Sequence, residues 1–62
     1  MKTIRGIRLE NEITQEEMAY LLQLSTKQYR FKEQGKAPWL FREVKFVCDY
    51  TKTPIQEVEV KQ

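Results

Sequence analysis

Residues 14–35 read TQEEMAYLLQLSTKQYRFKEQG and contain two helix-start patterns of the same design, eleven positions apart. In the first pattern, Thr14 is a suitable N-cap and Glu17 stands three positions later, which is the spacing of a capping box. Ser25 and Gln28 repeat that spacing in the second pattern. Two short helices are therefore predicted, each beginning one residue after its N-cap.

The connection between these two helices is short. Apolar residues keep helical spacing only as far as Leu22, so Gln23-Leu24-Ser25 forms the whole connection. Two helices joined by about 3 to 4 residues at roughly 90 to 120° form a helix-turn-helix. Gly35 suits the position after the second helix, because glycine readily adopts the positive φ found there. The stretch therefore predicts a helix-turn-helix that ends at this glycine.

The composition indicates one small folded domain covering residues 1–62, with 40% hydrophobic and 32% charged residues. No run has membrane-spanning length and the N-terminus lacks the apolar core of a signal peptide, so we expect a cytoplasmic protein. The chain has no histidine, and Cys48 is its only cysteine. The usual zinc ligand sets, an internal disulfide and a histidine base are therefore excluded. We expect no catalysis, no cofactor and no small-molecule ligand.

Positive charge is concentrated on the second helix and its exit, although the whole chain carries only +2. Residues 14–24 contain two acidic residues and no basic one, whereas residues 25–36 contain four basic residues and one acidic residue. On a helical wheel Tyr29 points toward the core. The opposite, outward face consists of Lys27, Arg30, Phe31 and Gln34. Lys32 borders the buried side, and we expect its stem to cover apolar surface while its ammonium reaches water.

The rest of the chain predicts three further helices. Residues 3–10 indicate a short amphipathic first helix, and an apolar stripe from Leu40 indicates a fourth helix in which Cys48 is a small core residue. Thr53 followed by proline predicts the start of a last short helix. Residues 57–60 alternate between acidic and apolar side chains. They either end that helix or form a short strand that pairs with the N-terminus or with a partner.

A second apolar stripe lies on the fourth helix, because Trp39, Phe46 and Tyr50 fall within about 40° of one another on its wheel. A helix that already faces the core has no obvious use for this stripe in a monomer. We therefore predict that these three residues form the interface of a homodimer. The alternative is that Trp39 covers the core from the loop and Tyr50 covers the last helix.

The sequence from Ile4 to Val58 resembles the helix-turn-helix DNA-binding domains of the Cro and phage-repressor type. The residues that carry the resemblance are Arg8, Thr14-Gln15-x-Glu17-Met18-Ala19, Leu24-Ser25, Tyr29 and Glu33-x-Gly35-Lys36. It implies an all-α, lambda-repressor-like fold, a compact bundle of about five short helices whose third helix enters the major groove of DNA. It also implies a shielded ion pair between Arg8 and Glu33.

The resemblance implies two kinds of DNA contact. The base-reading positions correspond to Thr26, Lys27 and Phe31, and the phosphate-positioning ones to Gln15, Ser25, Gln28 and Lys36. The outward face of the second helix adds Arg30 as a phosphate contact. Three residues depart from the family pattern: Gln23 replaces the turn glycine, Lys32 replaces a buried apolar residue, and Phe31 replaces a polar or basic one. We expect Gln23 to adopt a positive φ at a cost of about 1 to 2 kcal/mol.

These features favour a sequence-specific transcription regulator, Cro-like or repressor-type, that binds operator DNA as a homodimer. Its expected partners are double-stranded DNA and a second copy of the chain. The alternative is a protein-interaction module, antitoxin-like or anti-repressor, that uses Phe31 and the aromatic stripe as its contact surface. Salt dependence of binding distinguishes the two, because phosphate contacts release counterions and an apolar interface does not.

Overall fold

The computed structural model describes residues 2–59, and within that range the chain forms four α-helices and one short 3-10 turn. The helices are Ile4–Glu10 (α1), Gln15–Leu21 (α2), Thr26–Glu33 (α3) and Phe41–Thr51 (α4), and the 3-10 turn is Ile55–Glu57. The prediction of a mostly helical domain is therefore confirmed, and the domain measures 26 × 23 × 18 Å. None of these helices is long and apolar enough to cross a membrane.

Both predicted capping boxes are present. The hydroxyl of Thr14 accepts the N–H of Glu17 at 3.0 Å, and the carboxylate of Glu17 accepts the N–H of Thr14 at 2.9 Å. Ser25 and Gln28 exchange the same two bonds at 3.1 and 3.0 Å. These bonds satisfy N–H groups that have no partner inside a helix. The predicted starts of α2 and α3, one residue after each N-cap, are confirmed.

A residue with a positive φ follows each of the four helices, and the sequence predicted this conformation after α2 and α3 only. Gly35 after α3 has a φ of 80° and Gln23 after α2 has a φ of 60°, both as expected. Glu12 after α1 and Lys52 after α4 also adopt positive φ, at 56° and 58°. After α1, α2 and α3 the next two N–H groups bond back to the last turn, as in a Schellman motif. This motif therefore closes α1 and α2 even though neither helix is followed by a glycine.

The core lies between α1, α2, α3 and α4. Its buried apolar residues are Ile4, Ile7, Met18, Ala19, Tyr29, Val44, Val47 and Cys48. Tyr29 is completely buried, so its predicted inward direction is confirmed. Cys48 is also buried, and burial raises the pKa of its thiol. Burial confirms the predicted role of this cysteine as a small core residue. The raised pKa keeps the thiol protonated, and a protonated thiol is a weak nucleophile.

Trp39 belongs to this core rather than to the surface stripe of α4. It precedes α4, which begins at Phe41, so the periodicity of that helix does not set its direction. Its ring is half-buried against the core and meets the ring of Tyr29 edge-on, with centroids 5.8 Å apart. The surface stripe predicted from the sequence is thus corrected to Phe46 and Tyr50 alone.

Two ion pairs are buried beside the core. Arg8 Nε donates to Glu33 Oε2 at 2.7 Å, and the two side chains are only 8% and 3% exposed, which confirms the predicted shielded pair. Lys32 Nζ lies 2.5 and 2.6 Å from the two carboxylate oxygens of Glu43. The expectation that this ammonium reaches water is wrong, because Glu43 binds it below the surface, where the lysine side chain is 12% exposed.

The end of the chain differs from the predicted fifth helix. The hydroxyl of Thr53, expected to cap that helix, instead lies 2.9 Å from the hydroxyl of Thr51, and only the 3-10 turn follows. Val58 then forms an isolated parallel β-bridge with Lys2. Of the alternatives left open for this tail, pairing with the N-terminus is the one observed. Val60, the last residue of the alternating pattern, lies outside the described residues.

Candidate nucleic-acid interface

The outward face of α3 presents a phenylalanine ring beside two lysines. Phe31 is 39% exposed. The ammonium of Lys27, one turn earlier on α3, lies 5.7 Å from the ring centroid, and that of Lys36, in the following loop, lies 5.6 Å from it. Cation–π contacts at exposed sites stabilise by about 0.5 to 1 kcal/mol each. Two positive charges therefore lie close to an exposed apolar ring.

The charge on this face differs from the sum over the sequence. That sum includes Lys32 and Glu33, yet both are buried in the ion pairs described above. The exposed cations of α3 and its exit are Lys27, Arg30 and Lys36. Glu16 on α2 approaches Arg30, with 3.8 Å between carboxylate and guanidinium, but both side chains are at least half exposed. Such a pair is worth about 0 to 1 kcal/mol, so the face remains positive.

A chain of hydrogen bonds connects Arg30 to the buried ion pair. Arg30 Nε donates to the amide oxygen of Gln15 at 3.1 Å, and the amide nitrogen of Gln15 donates to Glu33 Oε1 at 3.1 Å. An ionised carboxylate only accepts hydrogen bonds, so the amide nitrogen must face Glu33 and the amide oxygen must face Arg30. The side chain of Gln15, predicted to position a phosphate, is thus used inside the protein to orient Arg30.

Glu33 is ionised in this environment. Burial alone would raise the pKa of its carboxyl, but hydrogen bonds from Arg8, Tyr29 and Gln15 outweigh that effect and hold the pKa below its ordinary value. The phenol of Tyr29 donates to this carboxylate at 2.5 Å. Burial first, and then this bond, raises the pKa of Tyr29. The carboxylate therefore stays charged and the phenol stays protonated at neutral pH.

The residues at the start of α3 retain part of their hydrogen-bonding capacity. Ser25 and Gln28 use one acceptor each in the capping box, and both side chains are exposed. The hydroxyl proton of Ser25 and the amide nitrogen of Gln28 can still donate to an external acceptor. Thr26, the first residue of α3, is half-buried. The predicted phosphate contacts of Ser25 and Gln28 are thus compatible with their capping role.

The predicted DNA contacts fall into connected groups. Lys27, Phe31 and Lys36 form one, through the two cation–π contacts. A second group consists of Arg30 and Gln15, which share a hydrogen bond. The link between these last two escaped the sequence reasoning, because fifteen positions separate them. It could have been suspected only once α2 and α3 were known to be in contact.

A separate aromatic surface lies on α4 and α2. The rings of Phe46 and Tyr50 stack with centroids 5.8 Å apart and are 37% and 54% exposed. Tyr20 on α2 is 81% exposed and borders the same groove as Tyr50. The sequence reasoning missed Tyr20. The helical spacing of α2 could have indicated that Tyr20 is exposed, because Tyr20 does not share the face of the buried residues Met18 and Ala19.

Comparison with known protein families, with curated proteins and with solved structures gives no match for this chain. Among residues 2–59, histidine, cysteine and acidic side chains do not gather in a group of three or more that could hold a metal ion.

Proposed function

We propose that this chain is a sequence-specific transcription regulator that binds operator DNA through α3, with residues 15–33 acting as a helix-turn-helix. The observation that carries the proposal is the exposed face of α3, where the ring of Phe31 stands beside the ammonium groups of Lys27 and Lys36. Lysine and arginine supply affinity by neutralising phosphates. Apolar contacts with base edges supply specificity. One short face offers both kinds of contact.

The dimensions and chemistry of α3 suit the major groove. The eight residues of α3 form a helix about 10 to 12 Å across with its side chains, and the groove is about 12 Å wide and admits an α-helix. We assign Phe31 to the methyl group of a thymine and Lys27 to O6 or N7 of a guanine, contacts that are recognised forms of direct readout. Arg30 and Lys36 are assigned to phosphates.

We infer a Cro- or repressor-type domain of the lambda-repressor-like fold, in which the 3-10 turn Ile55–Glu57 stands in place of a fifth helix. The inference is supported by the buried pair of Arg8 and Glu33 and by the short connection between α2 and α3, which consists of the four residues 22–25. We also propose that the regulator acts as a homodimer. Its operator would then be palindromic, with half-sites about 34 to 36 Å apart or a multiple of that distance.

Selection of bound duplexes from a random pool tests the proposal, and we expect a palindrome to emerge. On the selected duplex, Lys36→Ala should weaken binding and lower the slope of log affinity against log salt by about 1. Lys45→Ala is the matched control, since Lys45 is exposed on α4, away from the face of α3, and donates a hydrogen bond to Asp49. The control should leave both affinity and slope unchanged. Failure of the wild type to bind any duplex at about 50 mM salt would overturn the proposal.

A protein-interaction module is the second candidate, and the exposed aromatic side chains of Tyr20, Phe46 and Tyr50 favour it. Binding through these rings would respond strongly to Phe46→Lys and weakly to salt, because apolar contacts release few counterions. This behaviour toward a protein partner, together with a lack of duplex binding, would favour the second candidate over DNA binding.

A further inference from the structure

We propose that the surface formed by α2 and α4 binds a second copy of this chain across a twofold axis, with the two α4 helices antiparallel. The proposal deepens the homodimer of the proposed function, on which it rests for its biological role, by naming the surface and the register of the contact. The geometry of the surface does not depend on DNA, so it can be tested in the protein alone.

The apolar part of this surface is continuous. We call Tyr20, Leu21, Phe46 and Tyr50 the aromatic strip. A shallow groove of about 340 Å³ runs beside Leu21 and Tyr50, and a second groove of about 290 Å³ runs beside Leu21 and Phe46. Leu21 lines both grooves, and the stacked rings of Phe46 and Tyr50 join them along α4. The strip therefore offers stacked rings flanked by depressions that could receive the rings of a partner.

The two ends of the aromatic strip carry opposite charge. Arg42, Phe46 and Tyr50 follow one another at intervals of four residues, so they lie in this order along one side of α4. Arg42 and Glu43 line the groove at the Phe46 end, where the buried ion pair with Lys32 neutralises Glu43 and leaves Arg42 as the free charge. Glu16 and Glu17 line the groove at the Tyr50 end. With a rise of 1.5 Å per residue, Arg42 and Tyr50 are about 12 Å apart along the helix.

This polarity identifies a second copy as the occupant. In a twofold interface the same patch occurs on both subunits, and a residue away from the axis meets a different residue of its partner. An axis passing near Phe46 makes the two α4 helices antiparallel. It then places Arg42 of one copy opposite the acidic end of the other, twice in each dimer. A uniformly basic or uniformly acidic partner would instead meet a like charge at one end of the strip.

A second exposed apolar pair lacks such polarity. Phe41 and Ile55 are 72% and 39% exposed and line a depression together with Lys45 and Asp49. Those two charged residues already pair with each other at 3.1 Å within α4. They leave no net charge in this depression to orient a partner, unlike the charged ends of the aromatic strip.

Sedimentation equilibrium of the protein without DNA, at low salt and up to about 1 mM, tests the proposal. We expect a reversible dimer that Phe46→Lys abolishes. Arg42→Glu should raise the dissociation constant about tenfold, because two acidic groups then face each other at both ends of the interface. Glu16→Arg should raise the dissociation constant by a similar factor, because two basic groups then face each other at both ends of the interface. The double variant should return to within about threefold of the wild type, since it exchanges the two charges.

Matched variants separate this outcome from a loss of folding. Lys45→Glu makes the same change of charge on α4 outside the strip and should leave the dissociation constant unchanged. Far-ultraviolet circular dichroism and thermal melts check that each variant keeps its helices, and Glu16→Gln repeats the test at the start of α2 without introducing a cation beside Arg30.

Four results would overturn the proposal: a wild type that stays monomeric at about 1 mM, a dimer that survives Phe46→Lys, a double variant no better than its parents, or a control as damaging as Arg42→Glu. DNA binding is measured separately on the same variants. A dimer that behaves as described but binds no duplex would overturn the proposed function and leave this inference standing. Duplex binding without the dimer would do the reverse.

Discussion

Replacing Arg8 with alanine is expected to lower the free energy of unfolding by about 3 to 5 kcal/mol. The guanidinium makes its shortest bond, 2.7 Å, to Glu33 and another, 2.9 Å, to the carbonyl oxygen of Ile13. Because both charged side chains are more than nine-tenths buried, the substitution leaves a carboxylate in the interior without its counter-charge. Small domains are stable by only about 5 to 15 kcal/mol, so this variant should be close to unfolding.

The size of this effect depends on the charge that remains and not only on the bonds that are lost. Removing the two shorter hydrogen bonds costs about 1 to 3 kcal/mol in total, a third at 3.5 Å adds little, and the uncompensated buried charge accounts for the rest. Glu33→Ala should therefore be as damaging, because it leaves the guanidinium unpaired. Replacing Arg8 and Glu33 together by methionine and leucine should cost less than the two single alanine substitutions added together.

Urea denaturation followed by circular dichroism measures these free energies, with the slope of each transition checked for constancy. The pH dependence supplies a second measurement. The folded-state pKa of Glu33 is lowered, so its contribution to stability is complete above its unfolded value, about 4.3. That contribution is lost as the pH falls through the lower folded value. This part of the acid dependence should be missing in Glu33→Gln. A loss below about 1 kcal/mol in both alanine variants would show that the pair contributes no more than a solvent-exposed one.

Three further predictions concern the turns and the face of α3. Gln23→Gly should raise the free energy of unfolding by up to about 1 kcal/mol, because glycine adopts the positive φ of this position without steric strain. The greater conformational entropy of glycine in the unfolded chain offsets part of this gain. Gly35→Ala should lower the free energy of unfolding, and thermal melts showing one sign for both changes would contradict this account. Uracil in place of the contacted thymine should weaken binding by the wild type but not by Phe31→Ala, and equal wild-type affinity for both duplexes would exclude the methyl contact. In anisotropy titrations, Gln15→Ala with Arg30→Ala should lose no more affinity than Arg30→Ala alone, whereas additive losses would show that Gln15 contacts DNA independently.

Local interactions made the centre of this fold predictable from the sequence. A capping box spans three residues, so Thr14 with Glu17 and Ser25 with Gln28 reveal themselves in the sequence and form as expected. The inward direction of Tyr29 follows from the helical period in the same way. These features depend on neighbours within a single turn and need no knowledge of the tertiary structure.

Features that depend on distant partners were not predictable in the same way. Lys32 looked like a boundary residue because Glu43, its partner, lies on another helix eleven positions away. The positive φ values of Glu12 and Lys52 arise where the chain must leave α1 and α4 in a direction set by packing, and neither residue type indicates them. The pair of Arg8 and Glu33 was expected only from the family resemblance, since twenty-five positions separate the two residues.

The candidate site was predictable in its residues but not in its connections. Lys27 and Phe31 were placed correctly on the outward face, because the period of α3 determines that side. Their contact with each other and with Lys36 depends on side-chain conformations and on the direction of the loop after Gly35, which the sequence does not specify. Periodicity thus predicts which residues share a face, whereas the hydrogen bonds and cation–π contacts between them require the structure.

Glu33 connects the stability of the domain to the geometry of its face. Its carboxylate accepts hydrogen bonds from Arg8, from Tyr29 and from Gln15, and through Gln15 it orients the guanidinium of Arg30. A glutamine at position 33 both donates and accepts, so it would no longer fix the orientation of the Gln15 amide even in a variant that folds. The orientation of the Arg30 side chain therefore depends on the buried ion pair of the core. Lys27, by contrast, lies over the ring of Phe31 on the exposed face of α3, outside the hydrogen bonds that Glu33 accepts. In the proposed DNA-binding role, substitutions at Lys27 should therefore change DNA preference at little cost in stability.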